Sequence, residues 1–243
     1  MKVNGAYIKI LRNLSLYKSE LCYEGDRVIR LTKDRVFFVE ATVPDFLDVP
    51  IYTRNISELL RLMNDETSIT VDNNEKGYYI IIDNGIGKVR YKMAKKSSAE
   101  KLADLSKNSI DDIFNRCEQK VIKFNLSKDK YDELMKISKM LETNRLCVQS
   151  LNENTIRITT YSYENKDDKQ YFIDVDVAHT HFDNKLICQL SLMDYVQATD
   201  YTFEIGTKIP KNNNGVVPVF KVTAYLDDKI NVKYLSVGER ENR

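Results

Sequence analysis

Tyr7, Ile10, Leu11 and Leu14 recur at the i, i+3, i+4, i+7 spacing of one helix face, which predicts an amphipathic helix over residues 4–15. Its polar face carries Lys9, Arg12 and Asn13 and no acid. The period then shortens to two. Alternating runs at 21–23, 28–31, 36–41 and 49–52 predict a meander of strands, with Glu24-Gly25-Asp26 and Lys33-Asp34-Arg35 as hairpin turns. Asn55 is placed to cap a short helix that turns Ile56, Leu59, Leu60 and Met63 inward and Arg61 outward. Three more strands follow at 68–71, 77–82 and 88–91, the last two joined by the tight-turn sequence Asp83-Asn84-Gly85.

Strand patterning stops over residues 93–119, a charged stretch opened by Lys95-Lys96-Ser97-Ser98 and read as a connector. Ser97 with Glu100 resembles a capping box, and Ile110, Ile113, Phe114 and Cys117 have helical spacing, so one or two short surface helices are expected there. Beyond it the order restarts. A strand at 121–124 leads to a helix over 127–142 with Tyr131, Leu134, Ser138 and Leu141 on one face and Lys136 and Lys139 on the other. Strands are expected at 147–151, 155–161, 171–175 and 186–189, then a helix from about Ser191, then strands at 201–205, 217–225 and 230–237. A shift of 134 residues lays Ile56 on Leu190, Ser57 on Ser191, Leu59 on Met193, Glu66 on Asp200 and Val71 on Ile205. The pattern therefore predicts an α+β protein of two similar domains, 1–92 and 120–243 about the connector 93–119, each made of antiparallel sheets backed by two helices.

Composition narrows the function. The 243 residues are 42% hydrophobic, enough for two ordinary cores, and 37 basic against 36 acidic side chains leave a net charge of +1. Attraction to nucleic acid must then come from the arrangement of charge. No apolar run reaches membrane-spanning length and Met1-Lys2-Val3-Asn4-Gly5 has no signal-peptide core. Cys22, Cys117, Cys147 and Cys188 form no C-x-x-C pair, which fits a soluble protein of a reducing cytoplasm.

Asp174, Asp176, His179 and His181 are the one cluster with metal-ligand character, since residues two apart on a strand face the same way. A metal-dependent enzyme built on them is one reading; a strand end followed by a polar turn is the plainer one. Gly85-Ile86-Gly87-Lys88 lacks the spacing of a phosphate loop and reads as a turn. With only two histidines and no nucleophile near either, catalytic residues are not expected. Tyr78-Tyr79 and Tyr161-Ser162-Tyr163 have the chemistry to stack on bases, against the simpler role of packing a sheet.

The chain resembles the trimeric sliding clamps of large T-even-like tailed bacteriophages. The residues that carry the likeness are Ile10-Leu11-Arg12-Asn13-Leu14, the run from Ile51-Tyr52 through Ser57-Glu58-Leu59-Leu60 to Leu62-Met63-Asn64-Asp65, and Leu134-Met135-Lys136-Ile137-Ser138-Lys139. The resemblance implies a non-enzymatic homotrimeric ring, joined head to tail through edge strands. That ring would encircle double-stranded DNA in the host bacterial cytoplasm and tether the DNA polymerase for processive replication. It implies further partners, a clamp loader and late-transcription factors, and no cofactor or metal. Lys9, Arg12, Arg61, Lys136 and Lys139 would then meet phosphates without reading sequence. Partner peptides would dock near the connector and the C-terminal strands, at Leu102, Leu105, Ile110, Phe114, Leu235 and Val237. A clamp-like scaffold that tethers proteins without encircling DNA is the remaining alternative.

Overall fold

A computed structural model describes residues 5–15, 21–24, 26–31, 37–44, 51–53, 60–64, 66–74, 77–93, 109–164, 169–180, 182–190, 193, 195–209 and 215–239. It divides into two compact units, Met1–Ile110 with Leu226–Lys233, and Asp111–Tyr225 with Tyr234–Arg243.

In the first unit, α1 (Gly5–Ser15) buries Tyr7, Ile8, Ile10, Leu11 and Leu14. The Tyr7 hydroxyl donates to the Pro44 carbonyl and so ties the helix to the chain leaving the meander. Strands β1 (Leu21–Glu24), β2 (Arg27–Leu31), β3 (Phe37–Thr42) and β4 (Ile51–Thr53) lie antiparallel in the order β4-β1-β2-β3. Residues 37–41 of β3 are all buried, so its Phe-Phe-Val run reads as a continuous apolar segment and not as an alternating one. A separate meander follows: β5 (Ser68–Asn74), β6 (Gly77–Asp83) and β7 (Lys88–Lys92). Its second turn forms as predicted, with Asp83 accepting from the Gly85 N–H and Asn84 accepting from those of Ile86 and Gly87. Gly85 sits at φ 83, where a side chain would be strained. Leu60 and Arg61 are helical, as the expected second helix requires; its start at Asn55 lies outside the described residues, as do Ser97 and Glu100 of the connector.

The second unit begins with α2 (Ile110–Asn115), reaching it from Asp111, and continues into β8 (Gln119–Ser127). Ser127 caps α3 (Lys128–Met140) by accepting from the Lys130 N–H, and Glu142 takes a left-handed φ of 56 just past the helix end. α3 lies against β8 and β13 of one sheet and β10 and β11 of the other, turning Tyr131, Leu134 and Ser138 inward. The Ser138 hydroxyl is satisfied on the Leu134 carbonyl at 2.6 Å, which is why a polar residue is tolerated there. Strands β9 (Arg145–Asn152), β10 (Thr155–Tyr161), β11 (Gln170–Asp176) and β12 (Leu186–Gln189) form a sheet ordered β11-β10-β9-β12. Strands β13 (Asp200–Lys208), β14 (Val217–Tyr225) and β15 (Asn231–Val237) join β8 in the order β15-β14-β13-β8. The β13–β8 register shifts at Gly206, where a Cβ would come within 2.9 Å of the Gln119 carbonyl oxygen.

One expectation fails here. The helix predicted from about Ser191 is cut to a single tight turn, in which the Leu190 carbonyl accepts from the Met193 N–H at 2.9 Å, and residues 195–198 have no regular backbone. Tyrosine hydroxyls supply the partners a helix would have given: Tyr131 accepts from the Tyr195 N–H, Tyr234 from that of Val196 and Tyr201 from that of Ala198. Tyr201 also donates to the Val196 carbonyl and Tyr131 to that of Met193. With its polar backbone paired from outside, the buried segment has no need of helical bonds.

Candidate nucleic-acid interface

On α1 the exposed positions are Gly5, Lys9 and Arg12, a stripe at i, i+4, i+7. No acid occurs in the helix, so the helix itself gives this face only positive charge, with Arg12 near the helix C-terminus where the dipole favours it. On α3 the charges are graded. Lys128 pairs with Asp132 at 2.8 Å, and Asp129 and Glu133 keep the first turns near neutral, whereas the exposed Lys136 and Lys139 stand three residues apart in the last turns. Arg61 is exposed as well. All five predicted cations therefore point to solvent, on long stems that can follow a phosphate backbone.

The predicted peptide-binding positions fare differently. Ile110, Phe114 and Leu235 are buried at 0%, 3% and 6% exposure and act as core, Val237 is exposed, and Leu102 and Leu105 lie outside the described residues. The tyrosines divide too. Tyr161 is interior, Tyr79 has the Arg90 guanidinium over its ring at 3.9 Å, and Tyr163 has that of Arg145 at 5.3 Å. The faces of the latter two are thus already occupied by cations of the sheet.

Among the described residues no three His, Cys, Asp or Glu side chains come together as a metal site. Asp174 receives two hydrogen bonds from Arg157, at 2.8 and 2.9 Å, and that bonding holds its carboxyl below the usual carboxylate range. His181 lies outside the described residues.

Two buried charges went unnoticed in the sequence. Glu40, in the middle of β3, accepts from Arg27 at 3.0 Å and from the Ile110 N–H at 2.8 Å. Lys221, in the middle of β14, reaches Asp111 at 2.8 Å and Glu204 at 2.5 Å. Burial acts to lower the Lys221 pKa, but the hydrogen bonds to Asp111 and Glu204 outweigh it and raise it. The signal was a charge breaking an otherwise apolar strand: Phe37-Phe38-Val39-Glu40 and Val219-Phe220-Lys221-Val222.

Antiparallel sheets and few helices, repeated over two units, define a class: the chain has the fold of a sliding clamp. The H. pylori beta clamp, solved in complex with diflunisal, matches it with a TM-score of 0.60 at 11% sequence identity, over 96% of this chain. The chain spans 64% of the length of that clamp. No protein-family model and no curated protein matches the sequence.

Proposed function

We propose that this protein is a DNA sliding clamp: a non-enzymatic processivity factor that closes as a homotrimer around duplex DNA and tethers the replicative polymerase to it. The observation that carries the reading is the acid-free exposed stripe of Lys9 and Arg12 on α1, in a chain of sliding-clamp fold. Lys136, Lys139 and Arg61 add to it. A ring must hold DNA without stopping on it. Exposed cations on flexible stems suit that task, because phosphate contacts carry no sequence information and exchange freely with counterions. Retention comes from topology, since an encircling ring leaves duplex only at an end or by opening. A loader that opens the ring, and late-transcription factors that ride on it, are the further partners of this reading, and its setting is the host bacterial cytoplasm.

The test is retention on DNA of different topology. Loaded protein should remain on nicked circular duplex through a gel-filtration column, be lost when the circle is cut once, and stimulate long-product synthesis by its polymerase. Equal loss from circular and linear DNA, with polymerase binding intact, would instead establish a scaffold that tethers proteins without encircling DNA.

A further inference from the structure

Where the chain leaves β15 it runs from β14 to β12, the end strand of the sheet β11-β10-β9-β12. The Gly238 N–H donates to the Pro218 carbonyl of β14 at 2.7 Å, and the Glu239 N–H donates to the Ile187 carbonyl at 2.8 Å, in an isolated antiparallel bridge on the side of β12 away from β9. The crossing demands glycine. A Cβ on residue 238 would lie 2.3 Å from the Ile187 carbonyl oxygen and 2.6 Å from the Pro218 ring, so a larger residue would lift the chain off the strand.

The Glu239 side chain lands on a seat built by two strands. Arg145 of β9 and Gln189 of β12 are direct cross-strand partners, so their side chains stand on one face of the sheet. Arg145 Nε donates to Oε2 of Glu239 at 2.5 Å and Gln189 Nε2 donates to Oε1 at 2.9 Å, giving each carboxylate oxygen its own donor. Arg145 is also held independently of Glu239. Its Nη1 donates to the Asn144 carbonyl at 3.1 Å, and its guanidinium lies 5.3 Å over the Tyr163 ring. Beside it on the same face lie the buried Cys147, Tyr161 and Ile187. A main-chain acceptor on a strand edge, room for glycine alone and a two-donor carboxylate seat are the parts of a site that reads an extended segment. The chain's own Gly238-Glu239 fills it.

We propose that Gly238-Glu239 is an autoinhibitory strap on β12, displaced by a partner protein that brings an extended segment of the same chemistry, a glycine followed directly by a glutamate. The inference goes beyond the ring reading and uses none of the positions expected from the sequence to dock peptides. The incoming backbone takes the Ile187 carbonyl, its glycine passes between Ile187 and Pro218, and its glutamate takes Arg145 and Gln189. The strap wins by default because it is tethered, facing its seat at an effective concentration of the order of millimolar. A free segment competes only for the fraction of molecules in which the strap is lifted, and its apparent affinity is reduced by that fraction. The strap is also held lightly enough to lift, by an isolated bridge and a carboxylate side chain that keeps 27% of its surface exposed.

The test is fluorescence anisotropy of a labelled peptide of residues 237–242, Val-Gly-Glu-Arg-Glu-Asn, titrated with four full-length proteins: wild type, E239A, E239A/R145A and E239A/Q189A. E239A loosens the strap and leaves the seat intact, so it should bind the peptide at least tenfold more tightly than wild type. Either second change should remove most of that gain, and a peptide carrying E239Q should bind none of the four. Circular dichroism should agree across the set; if R145A disturbs β9, the Q189A chain carries the comparison. Absence of binding to E239A, equal binding by wild type and E239A, or binding by E239A that survives loss of the seat overturns the proposal. None of these outcomes touches retention on circular DNA, which tests the ring reading separately.

Discussion

At the scale of residues, the tyrosine hydroxyls do what regular backbone structure does elsewhere. Tyr131 and Tyr201 pack with tilted rings whose centres lie 4.1 Å apart, and Tyr195 and Tyr234 likewise with theirs 4.4 Å apart, so each phenol adds packing to its hydrogen bonds. Y201F would leave both the Ala198 N–H and the Val196 carbonyl unpaired in the interior, and should cost about 2–4 kcal/mol of unfolding free energy, at roughly 1–3 kcal/mol for each orphaned group. Y163F, at an exposed tyrosine, should cost almost nothing in the same urea titration. Burial pushes the phenols of Tyr161 and Tyr201 up to about 12. The fold thus favours their neutral forms, a contribution complete below the ordinary value of about 10 and lost as the pH rises toward 12. Ultraviolet titration should show these two ionising late, together with alkaline unfolding. The buried carboxylate makes the opposite demand: E40A would remove the acceptor shared by Arg27 and the Ile110 N–H and should destabilise by about 1–3 kcal/mol in the urea titration, the cost of a buried donor losing its acceptor.

At the scale of elements, the proposed function rests on the charge each helix presents. Reversing the α1 stripe with K9E/R12E changes two exposed positions, so the melting temperature should hold within the small range of surface substitutions while retention on circular DNA falls steeply and its salt dependence flattens. The same reversal at Lys136 and Lys139 should act in the same direction but less strongly, because Asp129, Asp132 and Glu133 already dilute the field of α3. The Arg157–Asp174 pair sits between two strands and depends on pH. Its carboxylate is favoured in the fold, so the contribution is present above the ordinary aspartate range and is lost as the pH falls through the lowered value. Urea midpoints should therefore fall more for wild type than for D174N between pH 6 and pH 3, since the variant has no carboxylate to protonate.

For the whole molecule, the proposed clamp makes the governing quantity the free energy of closing a ring from identical chains, which obeys mass action. A mass near 85 kDa, three times 28.3 kDa, should appear as concentration rises, and the transition should move to higher concentration in salt, because exposed charge pairs are screened within a Debye length of about 10 Å at 0.1 M. DNA retention should likewise fall with salt, since phosphate contacts lose their gain from counterion release.

The sequence by itself determined most of the elements and the direction of the cationic side chains. Periods of 3.6 and two are imposed by local geometry, so α1, α3 and the strands from β5 to β15 lie within a few residues of their predicted positions. Turn chemistry is equally local, and Asp83-Asn84-Gly85 could only bend. Tertiary structure alone decided what depends on partners distant in the chain. Tyr195, Val196 and Ala198 lie where a helix was predicted, yet hydroxyls from α3, β13 and β15 took over their N–H bonds. Ile110 and Phe114 are as apolar as any docking residue, and only packing could make them core. Glu40 can be buried because, beside Arg27, the Ile110 N–H reaches it from 70 residues away, and Lys221 because the Asp111 carboxylate arrives from 110 residues away, separations that no local pattern records.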